Sequence, residues 1–133
     1  MDKRSNQQIL EETYRNFAAG NMSAVLSSFD KDIIWERPGA PAIPFSGIFK
    51  GIDEVTRMFA IVASTINIKT FLPDRICSND DTVVVLGHDL VEVIATGKAY
   101  STNWAQAFTF KNGKIVYVQV YLDTKSIAEA FSP

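Results

Sequence analysis

One cysteine, Cys77, and one histidine, His88, are all that 133 residues offer of those two types. A lone thiol excludes an internal disulfide, and a zinc site would have to be built almost wholly from carboxylates, so no metal is expected. No apolar run approaches the ~20 residues that a membrane-crossing helix needs. Charge of one sign is also lacking: 13 Lys and Arg stand against 15 Asp and Glu, for a net charge of −2. Nucleic-acid binding wants a concentrated basic face, so neither nucleic acid nor a membrane is an expected partner. The opening Met1-Asp2-Lys3-Arg4 is polar rather than an apolar signal core, and a cytoplasmic location is the expectation. Repeats, low-complexity linkers and nucleotide-binding motifs are missing as well, so no cofactor is expected. What remains is an ordinary globular composition, 47% hydrophobic and 21% charged. It suits one domain spanning residues 1–133, long enough to bury a core.

Helical signals come first. Ser5 and Gln8 fit a capping box, followed by a stripe of Ile9 or Leu10, Thr13, Tyr14 and Phe17 that stops at Gly20. A short helix is expected over about Ser23–Phe29, then a strand over Asp32–Arg37 that Pro38 cuts off. The stretch Pro38–Gly47 carries three prolines and reads as an irregular segment of the kind that forms lids or pocket walls. A third helix opens at Gly51 with Asp53 and Glu54 in its first turn and an apolar stripe of Val55, Met58, Phe59, Val62 and Ile66. Four sequential strands follow, the first carrying Pro73 and so expected at an edge or a bend. Asp123 caps a short last helix, with Ser126 at its third position. Helices followed by a meander imply an α+β fold, in which a curved antiparallel sheet wraps around three N-terminal helices, with the short helix at the end.

The segment Thr82–Ala95 alternates between two faces. One reads Val83, Val85, Gly87, Asp89, Val91, Val93; the other carries Leu86, His88, Leu90 and Glu92. If the first faces the core, Asp89 is a buried or cavity-lining acid, and burying an unpaired carboxylate is costly. A two-residue Thr96-Gly97 turn would set Asp89 opposite Trp104 and Gly87 opposite Gln106. A bulged Asn112-Gly113 turn would set Gln106 beside Val118 and Trp104 beside Val120. The shared face is then Trp104, Gln106, Phe108 and Phe110 on one strand and Val116, Val118, Val120 and Leu122 on the next. An apolar cup holding Asp89 and Gln106 has the usual form of a small-molecule site, although the two could instead satisfy each other or a helix end. The opposite face, with His88, Tyr117, Gln119 and Tyr121, suits a protein–protein interface.

Together these segments resemble the nuclear transport factor 2-like superfamily, and within it the SnoaL-like branch. The carriers are Tyr14–Asn21, Ile33–Gly39, Phe49–Val55, Thr96–Lys98, Trp104–Phe110, and Gly113–Ile115 through Val120–Asp123. The resemblance implies a cone-shaped sheet around helices, a pocket at its open end and a homodimer through the outer sheet face. Ketosteroid isomerases of this fold use an Asp base and an oxyanion hole of a Tyr and a protonated Asp. Here Arg37 stands at the position of the base, Gln106 at that of the oxyanion acid, and Tyr14 near that of the tyrosine. Epoxide hydrolases of the fold use an Asp-Arg-Asp set, for which Asp89 and Arg37 offer two members. SnoaL-like cyclases use a pocket acid as base in an aldol closure, a part open to Asp89.

The expected site therefore has Asp89 as general acid or base, with Tyr14 and Gln106 donating hydrogen bonds to a developing oxyanion. Trp35, Trp104, Phe108, Val118 and Phe17 would wall it, and Arg37 would tune Asp89 or hold an anionic substituent. The expected ligand is small, apolar and oxygenated or carbonyl-containing. The alternative is a non-catalytic ligand-binding or dimeric interaction module.

Overall fold

Ser5 starts the first helix as its sequence requires. Its hydroxyl oxygen accepts the Gln8 N–H at 3.1 Å while the Gln8 side chain accepts the Ser5 N–H at 2.8 Å. The computed structural model describes residues 4–133; Met1, Asp2 and Lys3 of the polar opening lie outside the described residues. Helix α1 (Asn6–Ala18) turns its Ile9, Leu10 and Thr13 into the core. Gly20, at φ 77°, allows the sharp exit, and Asn21 caps α2 (Met22–Ser27). Helix α3 (Gly51–Thr65) buries Val55 and Met58. At α4 (Thr124–Phe131), Asp123 accepts the Ser126 N–H at 3.1 Å and its hydroxyl at 2.6 Å.

Six strands make one sheet: β1 (Phe29–Arg37), β2 (Gly47–Lys50), β3 (Ile66–Asn79), β4 (Thr82–Val93), β5 (Ala99–Lys111) and β6 (Lys114–Tyr121). Their order is β2-β1-β6-β5-β4-β3. The expectation of a wholly antiparallel sheet is corrected at one seam. The crossover through α3 and the meander after it return β6 to β1 in the same direction, so this pair is parallel and the sheet is mixed. Strand β2 has only four residues, too few for alternation to show in the sequence. Pro73 does lie on an edge strand, β3, opposite Gly87 and next to a register shift at Asp74. The α+β cone that results has α1, α2 and α3 against the concave face.

Side-chain parity on β4, β5 and β6 from Val118 onward is as the alternation requires, but the pairing differs from expectation by two residues. The first turn is longer than two residues: Val93 N–H bonds Lys98 O at 2.8 Å and Gly97 N–H bonds Val93 O at 2.9 Å. The Thr96 hydroxyl donates to Ala130 O at 2.6 Å, fastening this turn to α4. Asp89 thus pairs with Thr102, Gly87 with Trp104, and Val85 with Gln106. At the next hairpin Asn112 (φ 52°) and Gly113 (φ 75°) make a two-residue turn that pairs Lys111 with Lys114. The bulge falls at Val116 instead, so fully buried Ile115 takes the core position expected for Val116. Phe108 then pairs with Val118, and Gln106 with Val120.

Gly87 makes room for the Trp104 indole rather than for Gln106. A Cβ at Gly87 would lie 2.2 Å from Trp104 Cζ2 and 2.5 Å from the Leu72 carbonyl oxygen.

Candidate functional site

Between α1, α3 and the concave sheet lies a cavity of ≈ 100 Å³. That is near the ~150 Å³ of a dry protein cavity that admits benzene, so a single ring is the natural scale of its contents. Its walls are mostly aromatic and aliphatic: Phe17 and Tyr14 from α1, Phe29 and Trp35 from β1, Phe59 from α3, Phe71 from β3 and Phe108 from β5. The rings fix one another. Phe71 stacks on Trp104 at 4.7 Å between centroids, Trp35 meets Phe59 edge-on at 5.4 Å, and Phe17 meets Phe71 at 5.6 Å.

Into this apolar wall project a few polar groups: Asp89, Arg37, Tyr100, Gln106, Thr13 and the Tyr14 hydroxyl. Asp89 is 7% exposed. One of its oxygens, Oδ1, accepts the Thr102 N–H at 2.7 Å and the Thr102 hydroxyl at 2.9 Å. The other, Oδ2, accepts no hydrogen bond among the described residues, yet it is not sealed from solvent-sized space. Burial pushes the Asp89 carboxyl up, and the two Thr102 bonds and the charge of Arg37 only partly oppose it.

Arg37, on the inward parity of β1 with Trp35, lines the same cavity. Its guanidinium lies over the Phe45 ring at 4.6 Å from the centroid, and it forms no hydrogen bond or ion pair among the described residues. Burial lowers its pKa, while Tyr100 and Asp89 favour its charged form. Tyr100 is buried and its hydroxyl is likewise unpartnered but unsealed. Burial pushes its pKa up to about 12, with Arg37 pulling down and Asp89 adding to the rise.

The second polar group is a pair. The Tyr14 hydroxyl donates to Gln106 Oε1 in a short hydrogen bond, and burial raises the Tyr14 pKa well above its ordinary value. With the tyrosine proton engaged, the Gln106 amide N–H groups are the donors left for a ligand. Asp89 and Gln106 sit on pairing rows four residues apart, about 13 Å of strand rise, rather than on the adjacent rows expected. The cavity therefore has two polar ends. One holds Asp89, Arg37 and Tyr100; the other holds Tyr14 and Gln106.

Of the residues singled out in the sequence, Asp89, Gln106, Tyr14, Trp35, Arg37, Phe108 and Phe17 line the cavity. Trp104 and Val118 do not; both are buried behind the lining, Trp104 as the plate on which Phe71 stacks. The indole N–H groups of Trp35 and Trp104 are buried without a hydrogen-bond partner among the described residues. Tyr100, Thr102, Phe45 and Phe71 escaped sequence reasoning. Extending the inward register of β5 back from Trp104 reaches Thr102 and Tyr100, so the signal for those two was present. Phe45 lies in the proline-rich segment and Phe71 beyond a register shift in β3, where periodicity gives no guide. His88 lies on the outer face, with Nδ1 2.8 Å from Asp74 Oδ2.

Residues 10–118 match the family model of the SnoaL-like domain. The chain belongs to the SnoaL-like family. Solved structures agree on the fold. A nuclear transport factor 2-like protein of Burkholderia thailandensis E264 is 25% identical, with 98% of this chain and 99% of that one aligned at a TM-score of 0.88. One from Burkholderia xenovorans LB400 is 23% identical, covering 96% and 95% of the two chains at a TM-score of 0.87. TerC, co-crystallised with polyporic acid, is 21% identical over 95% of this chain and 97% of its own, at a TM-score of 0.81. No curated protein matches the sequence.

Proposed function

We propose that this SnoaL-like protein binds a small, largely apolar, oxygenated or carbonyl-containing molecule in the cavity and acts on it by general acid–base chemistry at Asp89. The carrying observation is the half-engaged carboxylate: Oδ1 is fixed by Thr102, Oδ2 accepts no hydrogen bond among the described residues, and Asp89 lines an aromatic cavity. A base needs a free lone pair aimed at its substrate, a fixed orientation and a pKa lifted toward the working pH. Thr102 fixes the orientation of Asp89, Oδ2 is left without a hydrogen-bond donor among the described residues, and burial raises the pKa. At the far end, the Gln106 amide offers N–H donors to an oxygen on which negative charge develops, and Tyr14 orients that amide through its own hydrogen bond. Isomerisation, cyclisation and hydrolysis all draw on such a pair, hydrolysis with solvent water as the co-reactant that Asp89 would activate.

A panel of cyclic ketones, epoxides and polyketide-like aromatics, assayed by thermal shift and by turnover with wild type and Asp89→Asn, tests the reading. Asn keeps Oδ1 for Thr102, so the fold is spared while the base is lost. A substrate turned over by wild type and at least about 100-fold more slowly by Asp89→Asn carries the proposal. Binding without turnover, unaffected by the substitution, contradicts it.

A second reading, a non-catalytic homodimeric module, draws on the outer sheet face around His88, Tyr117, Gln119 and Tyr121. Leu72, Leu90 and Tyr121 are 52%, 43% and 57% exposed there. The Tyr117 hydroxyl lies 2.8 Å from both Glu36 Oε2 and Gln119 Oε1 on the same face, and its single proton serves one of the two. A dimer in sedimentation equilibrium that Leu90→Glu with Tyr121→Glu dissociates supports this interface; a monomeric wild type rules it out.

A further inference from the structure

Arg37 poses a problem that general acid–base chemistry at Asp89 does not resolve. A guanidinium carries five N–H donors in a planar fork, and in water all are satisfied. In this chain it is only half-buried, yet among the described residues it has neither a hydrogen bond nor an ion pair, and the Phe45 ring covers it from one side. Asp89 shares the cavity and feels its charge, but Asp89 spends Oδ1 on Thr102 and does not close an ion pair with Arg37. The Tyr100 hydroxyl in the same group also has no acceptor among the described residues. Donors thus outnumber acceptors at this end of the cavity, and the cavity behind them is aromatic.

We infer that the Arg37–Tyr100 end of the cavity binds an acidic head group, a carboxylate or an ionised enol, on a ligand whose body is a single apolar ring. The inference rests on the cavity being a ligand site and adds the ligand's charge. A planar anion with two oxygens matches the fork of Arg37, and Tyr100 contributes a third donor. The ring then lies against Trp35, Phe59 and Phe108. Asp89 is the like charge that such an anion meets, so the bound state favours a protonated Asp89, which burial already favours. Overall charge does not explain a preference for anions, since the protein carries −2.

Benzoate and benzamide are the probes: they share shape and differ in charge. Calorimetric titration of wild type at pH 7.5 is expected to give benzoate at least a ten-fold lower Kd. That ratio should persist at high salt, because the site is buried. In Arg37→Gln the ratio should fall toward one, and in Tyr100→Phe it should fall several-fold. In Asp89→Asn benzoate should bind more tightly than to wild type, a change that loss of a merely structural group would not produce. Should Arg37→Gln fail to fold, the wild-type ratio and the other two variants still decide. Equal binding of the two probes to wild type, or a ratio unchanged in Tyr100→Phe and Asp89→Asn, overturns the acidic-ligand inference and leaves the cavity as a binding site. Binding of neither probe overturns the ligand-site reading and this inference with it.

Discussion

His88 and Asp89 are neighbours in sequence and live in different media. His88 stands on the outer face of β4, where its ring nitrogen meets Asp74 at 2.8 Å and both side chains are close to half exposed, 41% and 50%. Asp89 stands on the inner face, 7% exposed, held by one threonine and facing aromatic rings. Water screens the outer pair, so its geometry says little about stability or chemistry. On the inner face each polar contact changes the ionisation of the next. The difference is made by strand parity alone: one residue of offset separates a solvated charge from a cavity acid. The lone histidine, the most tempting general base by residue type, is on the face away from the cavity.

If that contrast is right, substitutions on the inner face should cost far more than equivalent ones outside. The largest effect is expected at Gly87→Ala, where the added methyl meets a backbone carbonyl as well as the Trp104 indole. Urea denaturation should show a loss of about 3 kcal/mol. Thr102→Val removes one of the two bonds to Asp89 Oδ1 and should cost about 2 kcal/mol. Tyr14→Phe removes the hydrogen bond to Gln106 and should cost about 1 kcal/mol by the same measurement. The smallest effect is expected outside: His88→Gln breaks the exposed pair with Asp74 and should change stability by less than about 0.5 kcal/mol. A His88→Gln loss as large as that of Thr102→Val would break the comparison.

The pH dependence sharpens it further. Asp89 has a folded-state pKa raised above its unfolded value. The folded protein therefore holds this proton more tightly, and the group's contribution to stability falls as pH rises from the ordinary carboxylate range through the raised value. Asp89→Asn removes that term. Its stability relative to wild type should thus climb as pH increases across that window, then level off. A difference that falls with pH would mean that Asp89 is stabilised as an anion.

Parity was legible in the sequence because alternation over β4, β5 and β6 is nearly unbroken, and it was enough to put Asp89 and Gln106 on the cavity side. Pairing was not. The hairpin after Val93 carries more residues than the Thr96-Gly97 signal suggests, because Thr96 is bonded to the carbonyl of Ala130 on α4, 34 residues away. A contact of that range leaves no local mark. The two-residue slip left the faces of β4 and β5 as expected while moving Gly87 under Trp104 and separating Asp89 from Gln106, and only the bulge at Val116 in β6 changed a face. The parallel β1–β6 seam was hidden for the same reason, being a property of how distant segments meet. Family resemblance carried the cone itself.

The central claim is that Asp89 is a cavity acid poised to exchange a proton. Its carboxyl carbon, followed by ¹³C NMR from pH 3 to 9 and assigned by its disappearance in Asp89→Asn, gives the most direct test. A titration midpoint above the ordinary carboxylate range, moving higher still when benzoate is bound, is the result the account predicts. A midpoint within or below that range, unmoved by benzoate, would show a carboxylate held as an anion by Thr102 and Arg37, and would contradict it.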